Sequence, residues 1–362
     1  MNKNVGVISM GVKAPIIREG DDLKSIVVNS VLDATDIDDK DIISITESVV
    51  ARSQGNYITV DEIAEDVRKR LGNESTIALI NPIYSRNRFS MILKGIARAA
   101  KRVVIYMPDV DEVGNVVRNH PFTGMNYDEY YESIVNSEGA TCLICHKIFD
   151  FDDFDDSPCL IYCGLHDYNE WRYKNGSATC ITLADICSDK CEFGVLGSNK
   201  ATEEKLKLFP KKDKATDLCY AIKEQIKNKT GKDVYVCVYG DGCFHSPKVN
   251  GIDGTSINEF ADPVTMPAYT DSNIFESSPN EIKIKAFADD KYKNLSGNDL
   301  ELAIKEEIKS KNKNLVGNMS SQGTTPRMIR DLVASLCDLT TGSGDKGCPI
   351  VVVKNYFKNY SD

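Results

Sequence analysis

Gly240-Asp241-Gly242 directly follows the β-rich run Asp233–Val238, which places a carboxylate at a strand end between two glycines that let a ligand approach the backbone. Glu259 and Asp262, in Asn258-Glu-Phe-Ala-Asp-Pro263, are the next such acids along the chain. A divalent ion that clamps a polyphosphate takes one or two carboxylates and keeps its waters, so these three are the candidate metal ligands. The plainer reading of Asp-Gly is an ordinary turn.

A glycine-rich segment, Gly342-x-Gly344-x-x-Gly347, matches the spacing of a dinucleotide fingerprint but not its context. That fingerprint needs a strand, then glycines, then a helix whose N-terminus meets the pyrophosphate. Here a helical pattern (Ile329, Leu332, Val333, Leu336) precedes the glycines and a β-rich run, Ile350–Val353, follows them. The segment therefore reads as a turn whose exposed amides form an anion nest, or as a plain connection. Gly231-Lys232 lacks the upstream glycine and the hydroxyl of a P-loop, so a bound nucleotide would be held in another way.

Twelve cysteines occur in 362 residues, and seven of them (Cys142, Cys145, Cys159, Cys163, Cys180, Cys187, Cys191) fall within 142–191, together with His146 and His166. Cys-x2-Cys followed by Cys-x3-Cys has the residue types for zinc or an iron–sulfur cluster. Several of these thiols sit in apolar runs, and free cysteine is also a common buried residue. Cys142-Leu-Ile-Cys145-His146 matches haem attachment as well, a chemistry that accompanies export. Asp150, Asp152, Asp153, Asp155 and Asp156 lack the glycine and terminal glutamate of an EF-hand and read as a solvated acidic loop.

The elements that must position these groups alternate between helix and strand without a steady rhythm, which predicts an α+β fold. Strands are expected at Val5–Ser9, Ile42–Thr46, Ile77–Ile80, Val103–Met107 and Val234–Val238. The capping box Thr59-Val-Asp-Glu62 opens a helix that Gly72 stops. A basic helical stretch over Tyr84–Arg102 carries Arg86, Arg88, Lys94, Arg98, Lys101 and Arg102 and has the charge to steer an anion, or simply to be solvated. Further helices are expected up to Gly231, around Leu300–Ile308 and from Thr325-Pro326 onward. Residues 108–190 follow no clear period and read as an elaborated insertion.

Lys and Arg number 44 against 54 Asp and Glu, a net charge of −10, so nucleic acid is not an expected partner. With no signal-peptide pattern and no long apolar stretch, a cytoplasmic location and no membrane partner are expected.

Three segments resemble the coenzyme F-420 γ-glutamyl ligase (CofE-like) family, in a longer and sparsely characterised branch. They are Gly20-Asp-Asp-Leu23 with Ile45–Gly55, then Leu196-Gly-Ser-Asn199 through Tyr239-Gly-Asp241, and finally Ile329–Val353. The resemblance implies a two-lobed α+β fold with mixed and antiparallel sheets, working as an intertwined homodimer. It implies a core segment at 1–107, an insertion at 108–190, and a second core segment at 191–362 with the nucleotide and metal site. It further implies that L-glutamate is joined to a carboxylate-bearing cofactor through an acyl phosphate, with GTP (or ATP) and Mg²⁺ or Mn²⁺. Ser48, Ser198, Asn199, Gly342, Gly344 and Asp345 are then the nucleotide-binding positions, Asp241 holds metal, and no protein nucleophile is assigned. Two positions depart from the family: Leu196 stands where an aspartate is expected, and Gly242-Cys-Phe-His245 lacks the family's arginine. The competing expectations are a non-catalytic zinc or iron–sulfur module built on 142–191, and a degenerate member kept as a scaffold.

Overall fold

The computed structural model describes residues 5–73, 75–80, 86–107, 118–120, 123–146, 159–162, 180–241, 249–250, 256–257, 265–270, 284–310, 329–342 and 344–358. Its strands are β1 (Ile8–Val12), β2 (Ile42–Thr46), β3 (Tyr57–Thr59), β4 (Ser75–Ile80), β5 (Ala100–Tyr106), β6 (Thr141–Cys145), β7 (Cys159–Tyr162), β8 (Cys180–Thr182), β9 (Ser198–Lys200), β10 (Lys205–Leu208), β11 (Tyr235–Asp241), β12 (Val249–Asn250), β13 (Ser256–Ile257), β14 (Thr265–Thr270) and β15 (Ile350–Lys354). The main helices are α1 (Leu23–Ala34), α2 (Glu47–Ser53), α3 (Val60–Leu71), α4 (Arg86–Ala99), α5 (Tyr127–Ser137), α6 (Lys212–Thr230), α7 (Gly297–Ser310) and α8 (Ile329–Thr341).

One sheet has the order β1-β15-β2-β11-β14, with β2 and β11 parallel and every other pair antiparallel. Its residues alternate between two cores, as the pleat requires. Ile43, Ile45, Val236, Val238, Ile350 and Val352 meet α1 and α6, whereas Ile42, Cys237, Tyr239, Val351 and Val353 meet α8. With both faces covered by helices, its central strands are predominantly apolar, with the buried Ser44 hydrogen-bonded to Cys237.

A second sheet, β6-β5-β4-β7-β8, is parallel throughout. In chain order its strands lie third, second, first, fourth and fifth, the doubly wound arrangement in which the chain reverses direction beside its first strand. Helices α3, α4 and α5 contribute to its core through Ile63, Val67, Phe89, Ile92, Ile96 and Tyr131. A short third sheet, β3-β10-β9, is antiparallel.

The fold is α+β, with mixed and antiparallel pairing in the first sheet as expected. Three local readings need correction. The stretch 108–190 contains α5 and the strands β6, β7 and β8, which share a sheet with β4 and β5. The rhythm β4-α4-β5-α5-β6 runs into this stretch, and beyond β6 the strands β7 and β8, only 4 and 3 residues long, are too short to show a period. The first strand starts at Ile8 rather than Val5, set by its register against β15. The basic helix ends at Ala99, so Lys101 and Arg102 stand in β5. The capping box does form, with Thr59 and Glu62 exchanging both hydrogen bonds, 2.7 and 3.1 Å, and Gly231 ends α6 at φ 74°.

Candidate active site

Because β2 and β11 are parallel, their carboxyl ends reach the same edge of the sheet, with Thr46 opposite Tyr239. Strand β15 runs the other way and delivers its amino end there, Ile350 pairing with Ile45, while the Thr46 N–H donates to the Pro349 carbonyl at 3.0 Å. Asp241, the first turn of α2 and the glycine-rich loop after α8 are thereby brought to one edge, although they lie far apart in sequence. Asp241 is the last residue of β11, paired with Thr265, rather than a loop residue beyond it. The Tyr239 hydroxyl shares a hydrogen bond with Thr341, which fastens β11 to the start of the glycine loop. Burial drives the Tyr239 phenol well above its ordinary range, so it stays protonated.

The glycine loop turns sharply. Gly342 has φ 60°, and a Cβ there would lie 2.5 Å from Lys346 Nζ, so the Lys346 side chain folds back over the turn. Gly344 opens a single 3-10 turn that includes Asp345, whose side chain lies outside the described residues. The order of helix, glycines and strand is the one read from sequence, opposite to a dinucleotide fingerprint.

On the other face of β11 lies a charged cluster that no short motif announces. Glu47, the first residue of α2, is 5% exposed and packs against Gly240, where a Cβ would come within 2.5 Å of the Glu47 Cγ. Only glycine at 240 leaves room for that carboxylate stem. Ser48 follows, and its Oγ accepts a hydrogen bond from Lys207 Nζ of β10. Burial pulls the Lys207 ammonium below its ordinary range, the Glu47 charge opposes this, and Arg52 adds to it. Asn199 pairs with Lys207 across the β9–β10 ladder and so shares its face. Ser198 is fully buried and donates to the Val195 carbonyl at 2.6 Å.

Ser48, Asn199 and the Asp241 strand end are thus joined through Lys207 and Glu47, two residues that sequence reasoning did not single out. The alternation Lys205-Leu-Lys-Leu208 was the available signal, marking a strand with lysines on one side. Glu259 and Asp262 lie outside the described residues.

The first segment read as family-like is also gathered in space. Gly20 N–H donates to the Ser53 carbonyl at 3.0 Å, and Asp22 caps α1 through the Ser25 amide at 3.2 Å. Asn56, just beyond it, donates to the Phe209 carbonyl at 2.7 Å and ties that segment to the end of β10.

The four-thiolate reading of 142–163 does not survive the topology. Cys142 and Cys145 lie on β6, and β5 and β4 separate them from Cys159 on β7. Three strand spacings amount to roughly 14 Å, whereas thiolates sharing a zinc ion lie within about 5 Å of one another. Cys142 and Cys145 also project to opposite faces of their strand, being three residues apart. Burial pushes the thiols of Cys142 and Cys187 up to about 12. Among the described residues no group of three or more His, Cys, Asp and Glu is arranged to hold a metal ion. Cys163, His166 and the acidic run 150–156 lie outside the described residues.

Two of the basic side chains on α4 are committed to ion pairs within the protein. Arg98 pairs with Glu138 (2.6 Å), Asp61 (2.9 Å) and Glu204 (3.0 Å), and Lys94 with Glu204 (3.5 Å). An open cavity of about 710 Å³ lies at the amino end of β2, away from the Asp241 edge, with Asp36, Asp38, Lys232 and Lys354 in its wall. Lys354 there is bound to Asp41 at 2.9 Å and Asp38 at 3.3 Å, a structural pair.

The three family-like segments meet at this edge, and the match extends beyond them. A family model described as F420-0:gamma-glutamyl ligase covers residues 11–355. The chain belongs to the F420-0:γ-glutamyl ligase family. That span includes the parallel sheet with its cysteines as well as the Asp241 edge. Among curated proteins none matches the chain significantly. No described helix is long and apolar enough to cross a membrane.

Proposed function

We propose that this member of the family is an acid–amino-acid ligase that joins L-glutamate to a carboxylate-bearing acceptor of the F420-0 type, consuming GTP. The observation that carries the reading is the meeting of Asp241, the Glu47–Ser48–Lys207 cluster and the glycine-rich loop at one sheet edge. In the reaction an acceptor carboxylate oxygen bonds to the γ-phosphorus of GTP and the bond to the bridging oxygen breaks, releasing GDP. The amine of glutamate then attacks the acyl carbon, phosphate departs, and the amine proton passes to solvent. Such transfer depends on positioned charge far more than on a protein nucleophile.

Lys207 and Arg52 are the cations suited to the phosphate oxygens, and the turn at Gly342–Gly347 offers backbone amides to the same group. Asp241 at the strand end, and Glu47 on the other face of β11, each offer oxygen donors, the kind a hard divalent cation selects. Held at the Asp241 strand end, Mg²⁺ or Mn²⁺ would neutralise charge on the transferring phosphoryl group. Tyr239 and Thr341 fix the spacing between the strand end and the loop.

Calorimetric titration of the full chain with GTP, with and without Mg²⁺ or Mn²⁺, tests the reading. Metal-dependent binding is expected, with turnover falling at least about 100-fold in Asp241→Asn. If neither GTP nor ATP binds in the presence of metal, the ligase assignment is lost.

A further inference from the structure

Arg88, in the first turn of α4, is 5% exposed. Its Nη1 donates to the Leu196 carbonyl at 3.2 Å. Nε and Nη2 are both buried and meet no hydrogen-bond partner, and among the described residues no carboxylate pairs with the guanidinium. These two nitrogens form one edge of the guanidinium, the fork that receives two oxygens of a single oxyanion. A buried cation left without a counter-charge is destabilising, and buried polar groups are otherwise almost always satisfied.

The position of Arg88 says what would complete it. Helix α4 follows β4, the first strand of the parallel sheet, and leads to β5 on one side, whereas β7 pairs on the other. The amino end of α4 therefore belongs to the carboxyl edge of the sheet at the point where strand order reverses, the place where such sheets take ligands. Long side chains in a first helical turn lean back toward the amino end, where unpaired amides and the helix dipole also favour an anion. No glycine lies between Ile80 and Arg86, so the sequence there lacks the glycine-rich pattern that cradles a pyrophosphate. The guanidinium is suited to one terminal group.

We propose that Arg88 is the anchor of an anion-binding site at the switch point of the parallel sheet, taking the phosphate group of a small phosphate-bearing molecule. The site belongs to a different sheet from the Asp241 edge and does not depend on the ligase reading. Its occupant supplies the counter-charge that the described residues do not.

The test is thermal unfolding and calorimetry of the full chain, without divalent metal, with inorganic phosphate as probe and acetate as the carboxylate arm. Phosphate is expected to raise the midpoint of the wild type more than that of Arg88→Met, a comparison that cancels its general stabilising effect. Binding should weaken about 10–100-fold in the variant. Without phosphate, Arg88→Met should unfold at the wild-type temperature or above it, since an unpaired buried charge has been removed. Arg88→Lys, which keeps charge but loses the fork, should fold normally and bind phosphate about tenfold more weakly. An Arg88→Met protein that melts lower yet keeps its full phosphate response would make Arg88 a structural partner of Leu196 and overturn the proposal. A response to acetate with none to phosphate would overturn the ligand class.

Discussion

The two five-stranded sheets are assembled in opposite ways. The parallel sheet is drawn from one continuous stretch, Ser75 to Thr182, and all its strand pairs but β4–β7 join consecutive strands. The mixed sheet pairs the first strand with the last, Ile8 opposite Lys354, and fills its centre from residues 42–46 and 235–241. Candidate chemistry gathers on the second kind. Its candidate edge draws on Thr46–Ser48, Lys207, Tyr239–Asp241 and Thr341–Pro349, four places that no local motif could join. A sheet closed by both ends of the chain holds such groups in fixed register, whereas the stretch between them is free to elaborate without moving that edge.

The sharpest way to break this comparison is to damage one sheet at a time. Ile161 is fully buried in β7, and Ile161→Ala should cost about 2–5 kcal/mol in denaturant unfolding. Gly240→Ala should cost less, about 1–3 kcal/mol, because its new Cβ meets the Glu47 stem rather than leaving a cavity. Activity should rank them in reverse. Ile161→Ala ought to keep the kcat/KM of the remaining folded protein, while Gly240→Ala, which displaces Glu47 beside Ser48, should lower it about tenfold or more. Equal losses of activity in the two variants would show that the sheets are not independent.

How much of this was legible beforehand follows the same division. Asp241 and the glycine loop could be found because each is a local pattern, an acid between glycines after a strand, and glycines between a helix and a strand. Lys207 and Glu47 could not, because a lysine in an alternating run and a glutamate at a helix start become notable only when β10 and β11 bring them together. The capping box at Thr59 was readable because both of its partners lie within one turn. In the parallel sheet the failure was different: β7 and β8 are too short to display a period, and their pairing with β4 is decided by tertiary contacts. The cysteine count misled for a related reason. Spacing in sequence suggested one shared site, yet β5 and β4 stand between β6 and β7.

Lys207 offers a pH test specific to the mixed-sheet edge. Its folded pKa is lowered, chiefly by burial, so above that value the unfolded chain binds more protons than the native one until pH passes the ordinary lysine range near 10.5. Native stability attributable to Lys207 should therefore rise as pH climbs through that window. Lys207→Met abolishes the titration, so the difference in unfolding free energy between wild type and variant should shift toward the wild type from pH 7 to pH 10. Binding of GTP should move the other way in the wild type, weakening as the ammonium is lost. A stability difference that stays flat with pH would mean that Lys207 keeps an ordinary pKa, and would remove it from the phosphate-binding set.

The smallest expected effect belongs to the cysteines of the parallel sheet, and it separates a packing role from a metal site. Burial raises the Cys142 thiol to about 12, and the nearby Glu132 and Cys145 charges add to the shift. At neutral pH it remains a thiol, and the thiolate is the form that binds metal or reacts. Cys142→Ser should consequently change stability by no more than about 1 kcal/mol, the range of a modest core substitution. Alkylation of native protein by iodoacetamide at pH 8 should be slow at Cys142 and Cys187 and become rapid in denaturant. Protein purified without chelator should contain the same zinc and iron whether or not Cys142 is present. One equivalent of zinc per chain that disappears in Cys142→Ser would require ligands from beyond β6, and would make the parallel sheet a metal-bearing part of the molecule.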